Sequence, residues 1–360
     1  MRALFYYDAP FWSGSARMFA AAGRGLGERG YHVTFVCPRG EVEARAAAEG
    51  CDVVPLELGA AAWQLRRILT ERFIETIFVH SQGEHLAAAL ATRWAKRGSI
   101  IRRTPTGGRL VAGRASRLAA RLASTSYLFT TAGDAQVAPV IPRAREIVTV
   151  ELGVDASRYD ELRPADVEGL GAEPGGHLLV CVYDEGGKAR AATVIRAVAM
   201  LAPRHPELHL VLLGRGASHE DLRMHAAALG VGPIVTHVDQ RDDDLAVLRA
   251  ADIGWVIASD DNAVFGALDF MAMRTPVLVE RGTVAARYVA DGITGCVLPP
   301  GDTPAVAATI AELLAQPEQR AAMGSAGRTR VARDYSEQTM LDALQVAVES
   351  ARDRTQWKAR

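Results

Sequence analysis

Apolar runs rich in β-branched residues alternate with runs of helical character along nearly the whole chain, and this alternation limits the fold more than any other feature. Strand-like runs such as Ala3–Tyr7 and His177–Tyr183 are each followed by a segment rich in Ala, Leu and Arg. Such alternation is typical of a parallel sheet with helices on both faces. It stops once, over the Gly-, Pro- and acid-rich residues 156–175, and then starts again.

The sequence therefore predicts an α/β protein with two doubly wound, Rossmann-like domains. The first covers residues 1–155, a linker covers 156–175, the second covers 176–335, and a C-terminal helix over 336–360 packs back on the first. A length of 360 residues agrees with two domains, because single cores rarely grow beyond about 250–300 residues. Ligands of open α/β sheets bind beyond the carboxyl ends of the strands. We therefore expect the two domains to face each other across a cleft and to hold one substrate each.

Cysteine usage and hydropathy indicate the compartment. The four cysteines, Cys37, Cys51, Cys181 and Cys296, form no CxxC pair. This pattern favours reduced thiols over a disulfide framework or a metal site, and predicts a cytoplasmic protein. No apolar run approaches the roughly 20 residues of a membrane span, and no signal-peptide core precedes Asp8.

Two carboxylates stand out in the stretch from Asp252 to Gly301. Asp261 and Asp269 are separated by seven residues, and a small-residue turn, a helix-like run and a short apolar strand are expected around them. A loop that leads into a helix N-terminus presents free backbone N–H groups and suits an anionic ligand. An acid at such a place usually binds the hydroxyls of a phosphorylated substrate, so the stretch suggests a sugar-nucleotide site.

Six blocks of the chain carry a family resemblance over roughly residues 1–335. In order they are FWSGSARMFAAAGRGLGERGYHVTFVC, IFVHSQGEHLAAALA, IVTVELGVDASRY, VYDEGGKARAATVIRAVAML, LVLLGRGASHEDLRMHAAALGV and LDFMAMRTPVLV. The chain resembles glycosyltransferases of the GT-B fold and the retaining family-4 type, to which phosphatidylinositol mannosyltransferases belong. Each block alone is weak, and their order and spacing carry the identification.

The resemblance implies roles for particular residues. Asp261 would contact the sugar hydroxyls, Asp269 the ribose, and Lys188 the diphosphate. The other donor-binding residues that it implies are Gly14, Gly214, Gly216, Phe265 and Gly266. Each has an ordinary structural alternative: a helix-start acid or lysine, a loop glycine, or a tight strand-to-helix turn.

The chain also departs from the family pattern. Asp replaces Glu at both acidic positions, Val182 stands where the family has an Arg, and Ser13 replaces the first glycine of a Gly-Gly pair. The segment Arg102–Thr104 stands where the family has a His near the reacting carbon. These departures motivate an alternative, a nucleotide-sugar-binding protein with weak or no activity.

His80 and the sequence GLGERG are the remaining local signals. His80 ends a predicted strand, where it could orient an acceptor hydroxyl or simply cap the strand. GLGERG, residues 25–30, matches a dinucleotide-binding pattern, but it follows a helix and precedes a strand, the reverse of the order that a dinucleotide site requires. We interpret these glycines as a helix stop.

Basic residues are concentrated in the first half. Nine of them and no acid lie between Glu84 and Asp134, and three alternatives account for the stretch 93–121. Arg103 and Arg109 could bind the donor phosphates. The predicted helix 112–123 could rest on an anionic membrane that carries a lipid-linked acceptor, or it could be an ordinary solvated helix. Nucleic acid is excluded, because the stretch lacks interleaved aromatic residues and the net charge is −1.

The sequence thus predicts a metal-independent, retaining hexosyltransferase with a nucleotide-diphosphate sugar as co-substrate and no other cofactor. The acceptor would be a glycan or a lipid-linked sugar, and the protein would be cytoplasmic, with peripheral contact at the inner membrane face as an added alternative. The candidate catalytic residues are Asp261, His80 and Arg103, and no metal site is expected.

Overall fold

The computed structural model describes residues 1–57, 59–110, 113–136, 147–214, 218–239 and 243–357. The chain folds into two compact units. The first comprises Met1–Leu152 together with Glu337–Arg360, and the second comprises Gly153–Ser336. Residues 156–175, which were expected to be a linker, pack within the second unit: the backbone of Ala165 donates to the carbonyl of Ala246 at 2.8 Å, and Tyr159 and Leu170 are buried.

The first unit is built on a parallel sheet with the strand order β3-β2-β1-β4-β5-β6-β7. Its strands are β1 Arg2–Tyr6, β2 His32–Pro38, β3 Asp52–Leu56, β4 Thr76–Val79, β5 Ser99–Arg103, β6 Thr125–Phe129 and β7 Ile147–Thr149. The intervening helices are α1 Gly14–Glu28, α2 Glu41–Ala48, α3 Ala61–Glu71, α4 Gln82–Ala95, α5 Arg114–Leu122 and α6 Ala132–Gln136. The central strands are buried on both faces, which explains their near-continuous apolar sequences.

The second unit repeats this plan with the strand order β10-β9-β8-β11-β12-β13, again all parallel. Its strands are β8 His177–Tyr183, β9 Leu208–Gly214, β10 Val235–Asp239, β11 Ile253–Val256, β12 Val277–Glu280 and β13 Gly295–Leu298. Its helices are α7 Lys188–Leu201, α8 Ser218–Ala228, α9 Asp244–Arg249, α10 Asp260–Ala272, α11 Thr303–Ala315 and α12 Pro317–Asp334. The α/β, doubly wound prediction is therefore confirmed for both halves of the chain.

The last helix, α13 Glu337–Trp357, belongs to the first unit and packs against α1. The Arg24 guanidinium binds the Glu337 carboxylate at 2.5 Å and the Glu49 carboxylate at 2.6 Å. A Cβ atom added at Gly25 would lie 2.3 Å from a methyl carbon of Leu341, so the glycine allows α13 to approach α1 closely. Of the GLGERG glycines, only Gly30, with a φ of 85°, lies beyond the end of the helix. The interpretation of all of them as a helix stop was wrong for Gly25 and Gly27, which lie inside α1.

Candidate functional site

The second sheet reverses its strand order between β8 and β11, and the residues that follow these two strands meet at its carboxyl edge. Lys188 opens α7 shortly after β8, and Asp261 lies in the first turn of α10 shortly after β11. In doubly wound sheets such a reversal opens a crevice between the two loops, where ligands bind. The structure thus brings Lys188 and Asp261 to neighbouring loops.

Asp184 joins these two loops. One of its carboxylate oxygens accepts a hydrogen bond from the Gly187 backbone at 2.9 Å, and the other accepts from the Ser259 backbone at 2.6 Å and from the Ser259 hydroxyl. Gly187 must be a glycine here, because a Cβ atom would lie 2.7 Å from the carbonyl oxygen of Ile257. No motif in the sequence marked Asp184 as a site residue, although an acid three residues before a helix-start glycine is a recognisable turn signal.

The first turn of α7 carries two cations with acidic partners. The Lys188 ammonium forms an ion pair with Asp221 of α8, and both side chains are about half exposed. The Arg190 guanidinium lies 3.2 Å from the buried Glu280 carboxylate at the end of β12. Cations at a helix N-terminus oppose the helix dipole, so their presence favours a site for an anion.

Asp261 is buried, and its neighbour Asp260 has an unusual backbone. The φ of Asp260 is 49°, in the left-handed region, and its side chain accepts from the Asn262 backbone at 3.1 Å. Asp tolerates this region better than most residues, but strained positions of this kind concentrate at functional sites. The Asp261 side chain is 1% exposed.

Asp269 is not brought to the same edge. We expected a turn between the two acids, but α10 begins at Asp260 and contains both of them. Eight residues of helix place Asp269 about 12 Å further along the axis, toward the amino ends of the strands. Its carboxylate accepts a hydrogen bond from the Tyr159 hydroxyl at 2.6 Å and is buried. The physical reason is the apolar sequence between the acids, which packs as a helix against the sheet.

Phe265 and Gly266 lie within that buried helix. A Cβ atom at Gly266 would be 3.4 Å from the Val256 methyl groups, and Phe265 is 3% exposed. The structure therefore gives both residues a packing position. Gly214 ends β9, where a Cβ atom would lie 2.6 Å from the Tyr183 ring, so its glycine is required by packing. Gly216 lies outside the described residues.

The first sheet reverses its order between β1 and β4, and three predicted residues lie near this edge. Gly14 opens α1 behind the N-cap Ser13. His80 follows β4, and its Nδ1 atom lies 2.8 Å from the Glu84 carboxylate. Arg103 ends β5, where its fully buried guanidinium donates to the hydroxyls of Ser15 and Thr130, both at 3.3 Å. A direct contact of Arg103 with a donor would require its side chain to leave this position.

The basic stretch is largely exposed, apart from Arg102 and Arg103, which are buried on β5. Arg109 is exposed, and α5 presents Arg114, Arg117 and Arg121 to solvent beside Leu118, which is 47% exposed.

Within the described ranges, no helix combines the length and apolar character that crossing a membrane requires. Across the same ranges, no group of three or more His, Cys, Asp or Glu side chains could hold a metal ion.

Comparison with known proteins identifies the second unit. Residues 171–330 match the family model described as glycosyl transferases group 1. The second unit is a glycosyl transferases group 1 domain. This domain contains Asp184, Lys188 and Asp261, and the family resemblance that the sequence predicted is confirmed.

Relatives of the group 1 domain are found among curated proteins. The chain is 30% identical over 190 residues to the GDP-mannose-dependent alpha-(1-6)-phosphatidylinositol monomannoside mannosyltransferase of Mycolicibacterium smegmatis, a match that covers 49% of each chain. The chain spans about half the length of the curated relatives it matches.

Solved structures extend the likeness beyond the group 1 domain. A glycosyltransferase from Rickettsia africae matches with a TM-score of 0.80 at 14% identity, covering 97% of this chain and 98% of that one. Anabaena HepE in complex with UDP-glucose matches with a TM-score of 0.76 at 16% identity, covering 97% of this chain and 100% of that one. Both units therefore have the fold of GT-B glycosyltransferases.

Proposed function

We propose that this chain transfers a sugar from a nucleotide-diphosphate sugar to a hydroxyl of a glycan or lipid-linked acceptor, with retention of the anomeric configuration. The observation that carries the proposal is the group 1 domain, with Lys188 and Asp261 on neighbouring loops at the point where its sheet reverses order. Retention follows from the resemblance to retaining enzymes, and NMR of the product's anomeric proton tests it.

The second unit would bind the donor. The free N–H groups at the start of α7 and the Lys188 ammonium would hold the diphosphate, after Asp221 releases the ammonium to the ligand. As the bond between the sugar and the diphosphate breaks, these groups would stabilise the charge that develops on the leaving group. The Asp261 carboxylate would accept hydrogen bonds from sugar hydroxyls. The predicted ribose contact of Asp269 remains a prediction, because it requires the Tyr159 hydroxyl to be displaced.

Donor binding is testable by isothermal titration with UDP-glucose and GDP-mannose, the two nucleotide sugars that the compared proteins' names mention. We expect Lys188→Ala to weaken binding at least tenfold. Arg223→Ala is the matched control, because Arg223 also forms an exposed ion pair in the second unit, with Glu220 at 2.7 Å. Absence of binding by every nucleotide sugar tried would refute the proposal.

An assay for release of the nucleoside diphosphate distinguishes an active transferase from an inactive nucleotide-sugar-binding protein. Binding without release, across a panel of donors and acceptors, would favour the inactive alternative that the shortened acids and Val182 suggested. We expect release to persist in EDTA, because the proposed cations are side chains of the protein.

A further inference from the structure

The guanidinium of Arg102 is buried in the first unit without an ion pair. Arg102 is 5% exposed, and its Nη1 atom donates to Nδ1 of His85 at 3.3 Å and to the Ser116 hydroxyl at 3.1 Å. Within the described part of the chain, no carboxylate binds this guanidinium, and its Nε and Nη2 atoms have no hydrogen-bond partner. Arginine is rarely buried without a paired charge, because removing a cation from water is costly. The position therefore favours an anionic ligand.

Two other arginines show the usual arrangement. The side chains of Arg24 and Arg328 are 17% and 15% exposed, and both bind a carboxylate. The Arg24 guanidinium lies 2.5 Å from Glu337, and the Arg328 guanidinium lies 2.7 Å from Asp160. Arg102 is more deeply buried than either of them and has only neutral partners.

The charges near Arg102 do not compensate for its burial. Burial lowers the pKa of the Arg102 guanidinium, and the charges of Tyr127 and Glu84 offset this only in part. The Glu84 carboxylate instead accepts hydrogen bonds from His80 and Ser81 at the start of α4. A bound anion would supply the missing negative charge.

Tyr127 adds a second donor on the same face of the sheet. It pairs in register with Arg102 across β5 and β6, so both side chains lie on one face. Its ring meets the His85 ring edge-on, with centroids 6.2 Å apart. Tyr127 is completely buried, and its hydroxyl has no hydrogen-bond partner among the described residues, although buried hydroxyls normally have one. Two buried donors without partners suit a ligand that only accepts hydrogen bonds.

The start of α5 adds a positive electrostatic potential. Its N-cap residue is Gly113, which has no side chain to accept from the first N–H groups, and its first turn contains Arg114 and no acid. The start of α4, by contrast, has both a capping hydroxyl and an acid in its first turn. Ser116, which accepts from Arg102, is the third residue of α5. The guanidinium therefore lies at the positive end of this helix, where phosphate groups commonly bind.

We propose that Arg102, Tyr127 and the start of α5 bind a phosphate group carried by the acceptor. The inference rests on the proposed glycosyl transfer and narrows its acceptor to a phosphorylated one. The Nε and Nη2 atoms of the guanidinium are parallel donors that match two phosphate oxygens, and the Tyr127 hydroxyl donates to a third. The cluster lies at the carboxyl edge of the first sheet, where ligands of such sheets bind. A soluble sugar phosphate and a lipid headgroup both carry such a group.

Histidine NMR detects phosphate binding at this cluster, because His85 contacts Arg102. We expect inorganic phosphate, added at constant ionic strength, to shift the His85 signals until they saturate and to raise the melting temperature. The signals are assigned by their loss in His85→Gln. Glucose 6-phosphate and glycerol 3-phosphate are the ester probes, and unphosphorylated glucose should have no effect.

Two variants test the donors. Tyr127→Phe removes only a hydroxyl that has no partner, so the melting temperature should not fall, whereas the Kd for phosphate should rise about tenfold. Tyr183→Phe is the matched control, because Tyr183 is also buried with an unpartnered hydroxyl, in the second unit, and it should leave this Kd unchanged. Arg102→Met should abolish saturable binding. An unchanged Kd in Tyr127→Phe and Arg102→Met would overturn the proposal.

The remaining outcomes identify the source of the phosphate. A stronger response to glucose 6-phosphate supports a sugar phosphate as acceptor, and a stronger response to glycerol 3-phosphate supports a lipid headgroup. A response to inorganic phosphate but to neither ester means an adventitious ion only and overturns the inference. If UDP shifts the His85 signals and both esters do not, the cluster serves the donor, and the inference fails while the proposed function stands. Because these titrations need no donor, failure of the protein to bind any nucleotide sugar would be seen separately and would refute the proposed function itself.

Discussion

Removing the Asp184 carboxylate should loosen the two loops that carry Lys188 and Asp261. In Asp184→Ala the Gly187 N–H, the Ser259 N–H and the Ser259 hydroxyl all lose their acceptor. Ser259 is exposed, so its two released groups can bond to water, and each of these lost bonds costs about 0.5–1.5 kcal/mol. Gly187 is buried, so its released N–H adds a desolvation penalty of about 1–3 kcal/mol. We therefore expect a loss of about 2–6 kcal/mol in the free energy of unfolding. Asp184→Asn retains one acceptor oxygen and should lose about half as much.

The assay needs a local and a global measurement. Urea denaturation gives the free energy, and hydrogen exchange monitored by mass spectrometry should show faster exchange in peptides that contain Gly187 and Ser259. Asp166→Ala is the matched control, because Asp166 accepts one backbone bond, from Glu168 at 3.2 Å, in an exposed turn of the same unit. If Asp184→Ala had the same free energy of unfolding as Asp166→Ala and left hydrogen exchange at Ser259 unchanged, the inference that Asp184 holds the two loops together would be refuted.

Three further predictions concern packing, pH and the membrane. Gly25→Ala should destabilise the first unit by about 1–3 kcal/mol through overpacking on α13, whereas Gly27→Ala, whose Cβ meets nothing within 4 Å, should stabilise α1 by about 0.5–1 kcal/mol; thermal melts compare them. Burial, and next the charge of Arg102, lower the pKa of His85 from 6.5 to about 3, so the stability that neutral His85 contributes is present above pH 6.5 and is lost as the pH falls toward 3. At pH 5 this loss is about 2 kcal/mol, and His85→Gln should flatten the pH dependence of urea denaturation by that amount. We also propose peripheral contact of α5 with the inner membrane face; wild-type protein should then sediment with vesicles containing anionic lipid, and replacing the three arginines of α5 by Gln should abolish this.

The buried strands could be predicted from the sequence because their positions inside the protein require apolar residues. His177–Tyr183 was predicted with the bounds that the structure gives, since parallel strands covered on both faces are continuous apolar runs. The strand β7 covers only Ile147–Thr149. This strand lies at the sheet edge and pairs on one side only, so its apolar pattern does not fix its ends.

The candidate site could be predicted only in part. Alternation of strands and helices was sufficient to put Lys188 and Asp261 at one edge, because parallel strands end together. It could not show that α10 begins before Asp261 and carries Asp269 away from that edge. Nor could it find Asp184, whose role depends on bonds across 75 residues of sequence to Ser259.

The most direct test of the donor site is a crystal structure of the protein with UDP or GDP bound. We expect the diphosphate at the start of α7, with an oxygen about 3 Å from the Lys188 ammonium and Asp221 no longer bound to it. A nucleotide bound elsewhere on the second unit, with the Lys188–Asp221 ion pair intact, would contradict the account.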